Sequence, residues 1–283
     1  MDRRSFTLSA LALGVLGAAP VLAQAASWRP TRFSVRVRGS GPDVLLIPGL
    51  TAGRSVWSDA VTAVPGYRYH LLQVAGFAGE PAGGNANSAV IQPLVAEIAR
   101  YIADQRLVRP AIVGHSMGGT VAMMLAARHP ARVGKLMVVD MLPAPAGLVG
   151  SDAAAIRPLA DSLRSIFTSS PGGRRLMEGL MGNFGGGAAA TGSDPDVVAQ
   201  AMHELALIDL KPELPRIAAP MEVVYATPPA GGGVDPAVIV RDYRSAYAGA
   251  KGARLTRIAN SGHMVMLDQP AAFAAALKSF LAR

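Results

Sequence analysis

One stretch, Ala111–Gly119, constrains the fold more tightly than any other: Ala-Ile-Val-Gly-His-Ser-Met-Gly-Gly. The short apolar run Ala111–Val113 ends in a Gly-x-Ser-x-Gly pattern at Gly114, Ser116 and Gly118, and a helix-like run, Thr120–His129, follows. A strand that passes into a helix around a serine must turn sharply, with strained backbone angles at Ser116 and small neighbours where the chain passes close to itself. Such a turn holds the hydroxyl clear of the sheet. It also leaves the N–H of Met117 free at the start of the helix, where developing negative charge is favoured. In a chain with 31 glycines the bare pattern says little; its strand, turn and helix setting gives it meaning.

The rest of the chain, 283 residues and 51% hydrophobic, is long enough for one large α/β domain or two small ones. Trp28–Arg38 alternates in part and reads as an opening strand. Gly39–Pro42 turns the chain, and Val44–Ile47 is a short buried strand that runs into Pro48-Gly49-Leu50-Thr51-Ala52-Gly53. That loop lacks the lysine of a phosphate-binding loop, but its glycines let a backbone N–H approach a reacting oxygen. Tyr67–Val74 is another strand, Gly76–Asn87 a loop, and Ser88–Ile102 has helical spacing at Ile91, Val95, Ile98 and Ile102. Val133–Val139 is the next strand and closes at Asp140. Strand and helix by turns predict a largely parallel sheet covered on both faces.

From Leu142 to Pro215 that alternation stops. Ala154–Phe167 and Arg174–Met181 read as helices, Gly182–Gly192 is low in complexity, and Asp194-Pro195 starts a helix through Leu205 with Asp194 as its N-cap. This insertion reads as a helical lid, residues 142–215, over a core formed by 26–141 and 216–283. Met177, Met181 and Met202 either line a pocket there or pack within it. The sheet resumes at Met221–Tyr225, followed by the loop Thr227–Gly233 and a helix from Asp235-Pro236 to about Tyr247. Arg254–Ile258 is the last strand; Asn260–His263 is a loop, and Gln269–Ala282 a closing helix with Phe273, Leu277 and Phe280 on one face.

Residues 1–25 stand apart. A charged beginning with paired Arg3-Arg4, an apolar run Thr7–Leu22 and a small-x-small site at Ala23-Gln24-Ala25 read as a twin-arginine-like export signal, which implies a periplasmic or secreted protein. No later stretch reads as a membrane span, so no anchor is expected after cleavage. With Cys 0, disulfides, thiolate catalysis and cysteine-held zinc are excluded. The net charge of +8 is scattered, without a basic stripe interleaved with aromatics, so nucleic acid is not an expected partner. The histidines show no metal-ligand pattern.

The chain resembles the α/β-hydrolase superfamily, in particular its serine hydrolases and esterases, over about residues 31–283. The likeness is carried by Ile47-Pro48-Gly49-Leu50, the Gly114–Gly119 turn, the Leu136–Asp140 strand end, Ser261-Gly262-His263 and Asp268-Gln269-Pro270, in that order. It implies a mostly parallel sheet of about eight strands flanked by helices, with a helical cap between strands six and seven. It implies Ser116 as nucleophile, His263 as general base and then acid, and the backbone N–H groups of Leu50 and Met117 as oxyanion donors. The third member stays open. The usual place after the Met221–Tyr225 strand, Ala226–Gly233, holds no Asp or Glu. Asp140, at the preceding strand end, is preferred, and Asp235 is the alternative.

The resemblance implies cofactor-free cleavage of small, nonpolar carboxylic esters through an acyl-enzyme, with no metal. Amide, peptide, lactone or carbon–carbon bond hydrolysis on the same frame is the nearest rival. A noncatalytic binding protein that keeps the frame is the rival from another class. The sequence indicates no oligomeric state.

Overall fold

The computed structural model describes residues 28–173, 175–176, 192–229, 231 and 234–283. The expected export signal, Met177 and Met181 lie outside the described residues, as do residues 182–191 and most of the expected helix Arg174–Met181.

Seven strands form one sheet: β1 (Phe33–Arg38), β2 (Asp43–Ile47), β3 (Arg68–Val74), β4 (Ala111–His115), β5 (Lys135–Val139), β6 (Met221–Thr227) and β7 (Arg254–Ala259). Their spatial order is β1-β3-β2-β4-β5-β6-β7. β1 runs antiparallel to β3, and every other pairing is parallel. The resemblance implied about eight strands; among the described residues there are seven, because the antiparallel edge begins with β1, which pairs only with β3. The insertion correspondingly follows the fifth strand of this chain.

The side-chain period of two divides the core. Leu45 and Ile47 of β2, Ile112 of β4, and Leu136 and Val138 of β5 point into one apolar cluster. Val44, Leu46, Val113, Met137 and Val139 point into the other. The helices that cover the sheet and its upper edge include α1 (Ser58–Ala63), α2 (Ile91–Asp104), α3 (Met117–Arg128), α4 (Arg157–Ser169), α5 (Pro195–Leu207), α6 (Pro236–Ala246), α7 (Val265–Asp268) and α8 (Pro270–Ala282). The first cluster takes Leu94 and Ile98 of α2, Val121 of α3 and Tyr243 of α6. The second takes Ala60 of α1 and Phe273 and Leu277 of α8. α3 is buried from Met117 to Ala127 because it is wedged between β4, β5, α2 and the turn Lys211–Arg216. Its faces are accordingly all small or apolar.

Within 142–215, α4 packs on α5, and α5 packs on α2 and on the turn Pro145–Val149. Asp194 caps α5, accepting from the N–H groups of Asp196 and Val197, while its own N–H donates to Gly76 at 2.7 Å. Glu204 of α5 accepts from the N–H groups of Val90 and Ile91 at 2.9 and 2.8 Å. An acid from the insertion thus caps a core helix whose own cap residue, Val90, has no side-chain oxygen. Among the described residues no helix is long and apolar enough to cross a membrane.

Candidate active site

The β4–α3 junction has the sharp turn that the glycine pattern requires. Ser116 sits at φ 52° and ψ −123°, a strained conformation for a residue with a side chain, and its N–H is pinned to the Val139 carbonyl at 2.9 Å. The flanking glycines are there for space. A Cβ on Gly114 would lie 2.1 Å from the Gly118 oxygen, and one on Gly118 would lie 2.2 Å from the Ile47 oxygen. Gly49, in the loop after β2, is less tightly confined: a Cβ there would lie 2.9 Å from His115 Nδ1 and 3.0 Å from the Ser116 Cβ. This brings the Leu50 amide beside the serine turn. Among the described residues neither the Leu50 N–H nor the Met117 N–H has a hydrogen-bond acceptor.

His263 follows the last strand. Its loop is tied down at several points: Ser261 N–H to Thr227 O at 3.1 Å, Gly262 N–H to Asp268 Oδ2 at 2.9 Å, and the Gln269 side chain to Asn260 O at 2.7 Å. His115 adds another, its Nε2–H donating to the His263 carbonyl at 2.8 Å. Burial, and after it the neighbouring His263, lowers the His115 pKa to about 3, so the ring is neutral and its Nδ1 lone pair has no partner.

The His263 Nδ1 lies 2.8 Å from Asp140 Oδ2. With the carboxylate accepting from Nδ1–H, Nε2 is the ring nitrogen left without a hydrogen-bond partner among the described residues. Asp140 stands at the end of β5 with φ 48°. Its other oxygen, Oδ1, accepts from the Ala226 N–H at 2.9 Å and from the Tyr243 hydroxyl at 3.1 Å. Asp235 is elsewhere: it caps α6, accepting from the Ala237 N–H at 2.8 Å. Of the two expected acids, the fold brings Asp140 to His263 and leaves Asp235 at a helix start.

Ser116 and His263 line one cavity of about 400 Å³. No hydrogen bond joins their side chains in this arrangement; such contacts are often long before a substrate is bound. The remaining wall is mostly apolar, with Leu50, Met141 and Met264 from the core and Pro145, Met202 and Leu205 from the insertion. Among the described residues that line it there is no Lys, Arg, Asp or Glu. Met202, expected either to line a pocket or to pack, lines this one. Among the described residues no three His, Cys, Asp or Glu side chains are grouped as metal ligands would be.

Residues 44–276 match the model of the alpha/beta hydrolase family. The chain belongs to that family. Among curated relatives, a pimeloyl-[acyl-carrier protein] methyl ester esterase of Aeromonas hydrophila is 34% identical over 111 residues, a match spanning 39% of this chain and 42% of the relative. The protein of the same name from Vibrio vulnificus is 25% identical over 261 residues, 87% of this chain and 96% of the relative. Among solved structures, an enol-lactonase from Burkholderia xenovorans aligns with a TM-score of 0.65 at 21% identity, covering 89% of this chain and 97% of that one. An esterase from Exiguobacterium antarcticum aligns with a TM-score of 0.65 at 20% identity, covering 89% and 96%. At these identities the structural likeness speaks for the alpha/beta hydrolase fold alone.

Three features of this alpha/beta hydrolase escape a reading of its sequence. The Tyr243–Asp140 contact joins residues on α6 and β5, and a tyrosine on an apolar helix reads as core. The His115–His263 carbonyl bond spans 148 residues. Asp268 reads as support for the last helix, yet its carboxylate holds the Gly262 amide beside His263.

Proposed function

We propose that the protein is a serine hydrolase that cleaves small carboxylic esters with a nonpolar acyl or alcohol part through an acyl-enzyme. The observation that carries this reading is the His263 Nε2, left without a partner among the described residues while Asp140 orients the ring through Nδ1, in the same cavity as Ser116. Serine is a poor nucleophile until a base takes its proton. In the proposed reaction His263 takes the Ser116 proton as Oγ attacks the ester carbonyl, then gives it to the departing alcohol. A water, activated by the same imidazole, attacks the acyl-enzyme and releases the acid. Asp140 fixes the tautomer and stabilises the imidazolium that forms in each half. The Leu50 and Met117 amides, which have no carbonyl partner among the described residues, are suited to the tetrahedral oxyanion. One such donor typically contributes about 2.7–4 kcal/mol to the transition state.

The wall of Leu50, Met141, Met202, Leu205 and Met264, without a Lys, Arg, Asp or Glu among the described residues, favours an uncharged substrate. In this reading 142–215 acts as a cap that contributes Pro145, Met202 and Leu205 to the cavity, and residues 1–25 direct export to the periplasm or beyond. The test is a panel of p-nitrophenyl esters and matched amides, run with wild type and Ser116→Ala, together with fluorophosphonate labelling. Short and medium acyl esters should be hydrolysed and the label should fall on Ser116. Wild-type turnover or labelling in Ser116→Ala would sink the proposal. Mass spectrometry of the exported protein checks the signal, with Ala26 expected at the new N-terminus.

A further inference from the structure

A carboxylate at a strand end can rotate about its side-chain bonds. To serve an imidazole it must hold one oxygen along the Nδ1–H direction. The Asp140 N–H continues the β5–β6 ladder to Val224 O at 2.8 Å, and the side chain then turns toward β6 and α6. Two donors meet at Oδ1, the Ala226 N–H and the Tyr243 hydroxyl, while Oδ2 alone faces His263. The Tyr243 ring is 5% exposed and stacked: against Tyr225 at 4.4 Å and 17°, and against Tyr247 at 6.3 Å and 13°. Tyr247, four residues on at the C-terminal cap of α6, donates to the carbonyl of Met141, the residue after Asp140, at 2.6 Å. α6 therefore reaches Asp140 and its neighbour with hydroxyls spaced four residues apart.

We propose that Tyr243 is a positioning residue for ester hydrolysis: its hydroxyl occupies Oδ1 of Asp140 and so keeps Oδ2 on His263. The proposal rests on the reading of Asp140 as the acid partner of His263. It also gives α6 a task that follows from the composition of the preceding loop. Ala226–Gly233 holds no acid of its own, and the helix after it supplies instead the donor that orients an acid from β5.

The hydroxyl has an electrostatic consequence too. Burial, and after it the charge of Asp140, pushes the Tyr243 hydroxyl well above its usual range, so it stays a donor across the working pH. By drawing negative charge onto Oδ1 it weakens the anion that His263 meets. Without it the imidazolium is better stabilised, and the acid limb of the pH–rate profile moves to higher pH. The other titratable groups against this pair are His115 from β4, which is held neutral, Tyr225 from β6 and Tyr247 at the C-terminal cap of α6.

Tyr243→Phe keeps the ring and its stack and removes only the hydroxyl. Expected are a fall in kcat of about 10-fold on a p-nitrophenyl ester, with KM changed less than about twofold, and an acid limb displaced upward. In an Asp140→Asn background the same substitution should have no further effect. Wild-type kcat and an unmoved acid limb in Tyr243→Phe would overturn the proposal, as would an equal loss in both backgrounds. If Asp140→Asn is inactive while Tyr243→Phe behaves as wild type, this inference alone fails. If Asp140→Asn turns over at the wild-type rate, the assignment of Asp140 beneath it fails as well.

Discussion

His70 and His263 each meet an aspartate at nearly the same distance, 2.9 Å to Asp43 and 2.8 Å to Asp140, but at opposite ends of the parallel strands. Asp43 and Arg68 open β2 and β3, whereas Asp140 and His263 follow the ends of β5 and β7. At the lower edge every valence is taken. His70 donates from Nε2 to Asp43, its Nδ1 accepts from the Tyr101 hydroxyl at 2.7 Å, and Asp43 also accepts from both Arg68 nitrogens that face it. Burial lowers the His70 pKa, against the opposing pull of Asp43. At the upper edge the His263 Nε2 is left over, and so are two backbone N–H groups beside a strained serine. The difference teaches that a histidine–carboxylate pair is a brace when its network closes on itself. It becomes a candidate base when one ring nitrogen is left facing a cavity.

The largest effect that would break this contrast is on turnover. His263→Ala should reduce kcat/KM on a p-nitrophenyl ester by about 10⁴-fold or more. His70→Gln should leave kcat within about twofold but lower the unfolding free energy by roughly 1–3 kcal/mol, because Asp43 and Tyr101 lose a buried partner. Equal losses of turnover in the two variants would abolish the distinction. The aspartates should divide in the same way. Asp140→Asn removes the acceptor that fixes the His263 tautomer and should lower kcat by about 10³–10⁴-fold, while Asp43→Asn should register in urea unfolding and not in kcat.

The upper edge was partly legible from sequence because some of its signals are local. Gly114, Ser116 and Gly118 lie within one turn, and the need for those glycines is set by chain atoms a few residues away or by the adjacent strand. His263 is legible from its place after the last strand. The acid was not, since two aspartates follow consecutive core strands and only the packed sheet decides which one faces His263. Asp235 carries the same local signal in either role, an acid before Pro236, and the fold uses it as a helix cap. Tertiary partners also moved element ends. The helix expected from Ser88 begins at Ile91, where Glu204 of the insertion receives its first amides. The helix expected over Ala154–Phe167 runs Arg157–Ser169, beginning beside Pro158. The order of the strands, read from short apolar runs between turns, has its counterpart in β1 to β7.

A smaller effect sharpens the comparison through pH. His115 protonates near 6.5 in an unfolded chain and near 3 in the native one. Between those values the unfolded state binds more protons. Its contribution to stability is therefore whole above pH 6.5 and is lost as pH falls toward 3, at up to about 1.4 kcal/mol per pH unit. His70, also lowered, acts in the same direction. Urea denaturation of the resting protein from pH 7 to pH 4 should show the decline, and His115→Asn should flatten it. A slope unchanged by that substitution would mean that the buried ring does not titrate on unfolding.

The smallest expected effect separates the two expected acids. Asp235 bonds only the start of α6, so Asp235→Ala should cost about 1 kcal/mol of stability through the lost cap. Asp235→Asn, which retains a capping oxygen, should cost a few tenths at most. Neither should alter kcat, because the distance from Asp140 to His263 is set by β5, Ala226 and Tyr243 and not by the first turn of the helix. Tyr243 lies about two turns beyond that cap, where a frayed helix start no longer reaches. Should Asp235→Asn reduce kcat as Asp140→Asn does while melting at the wild-type temperature, the carboxylate would be reaching His263 during turnover. The upper edge would then require both acids, and its unfilled valence would extend to the β6–α6 loop.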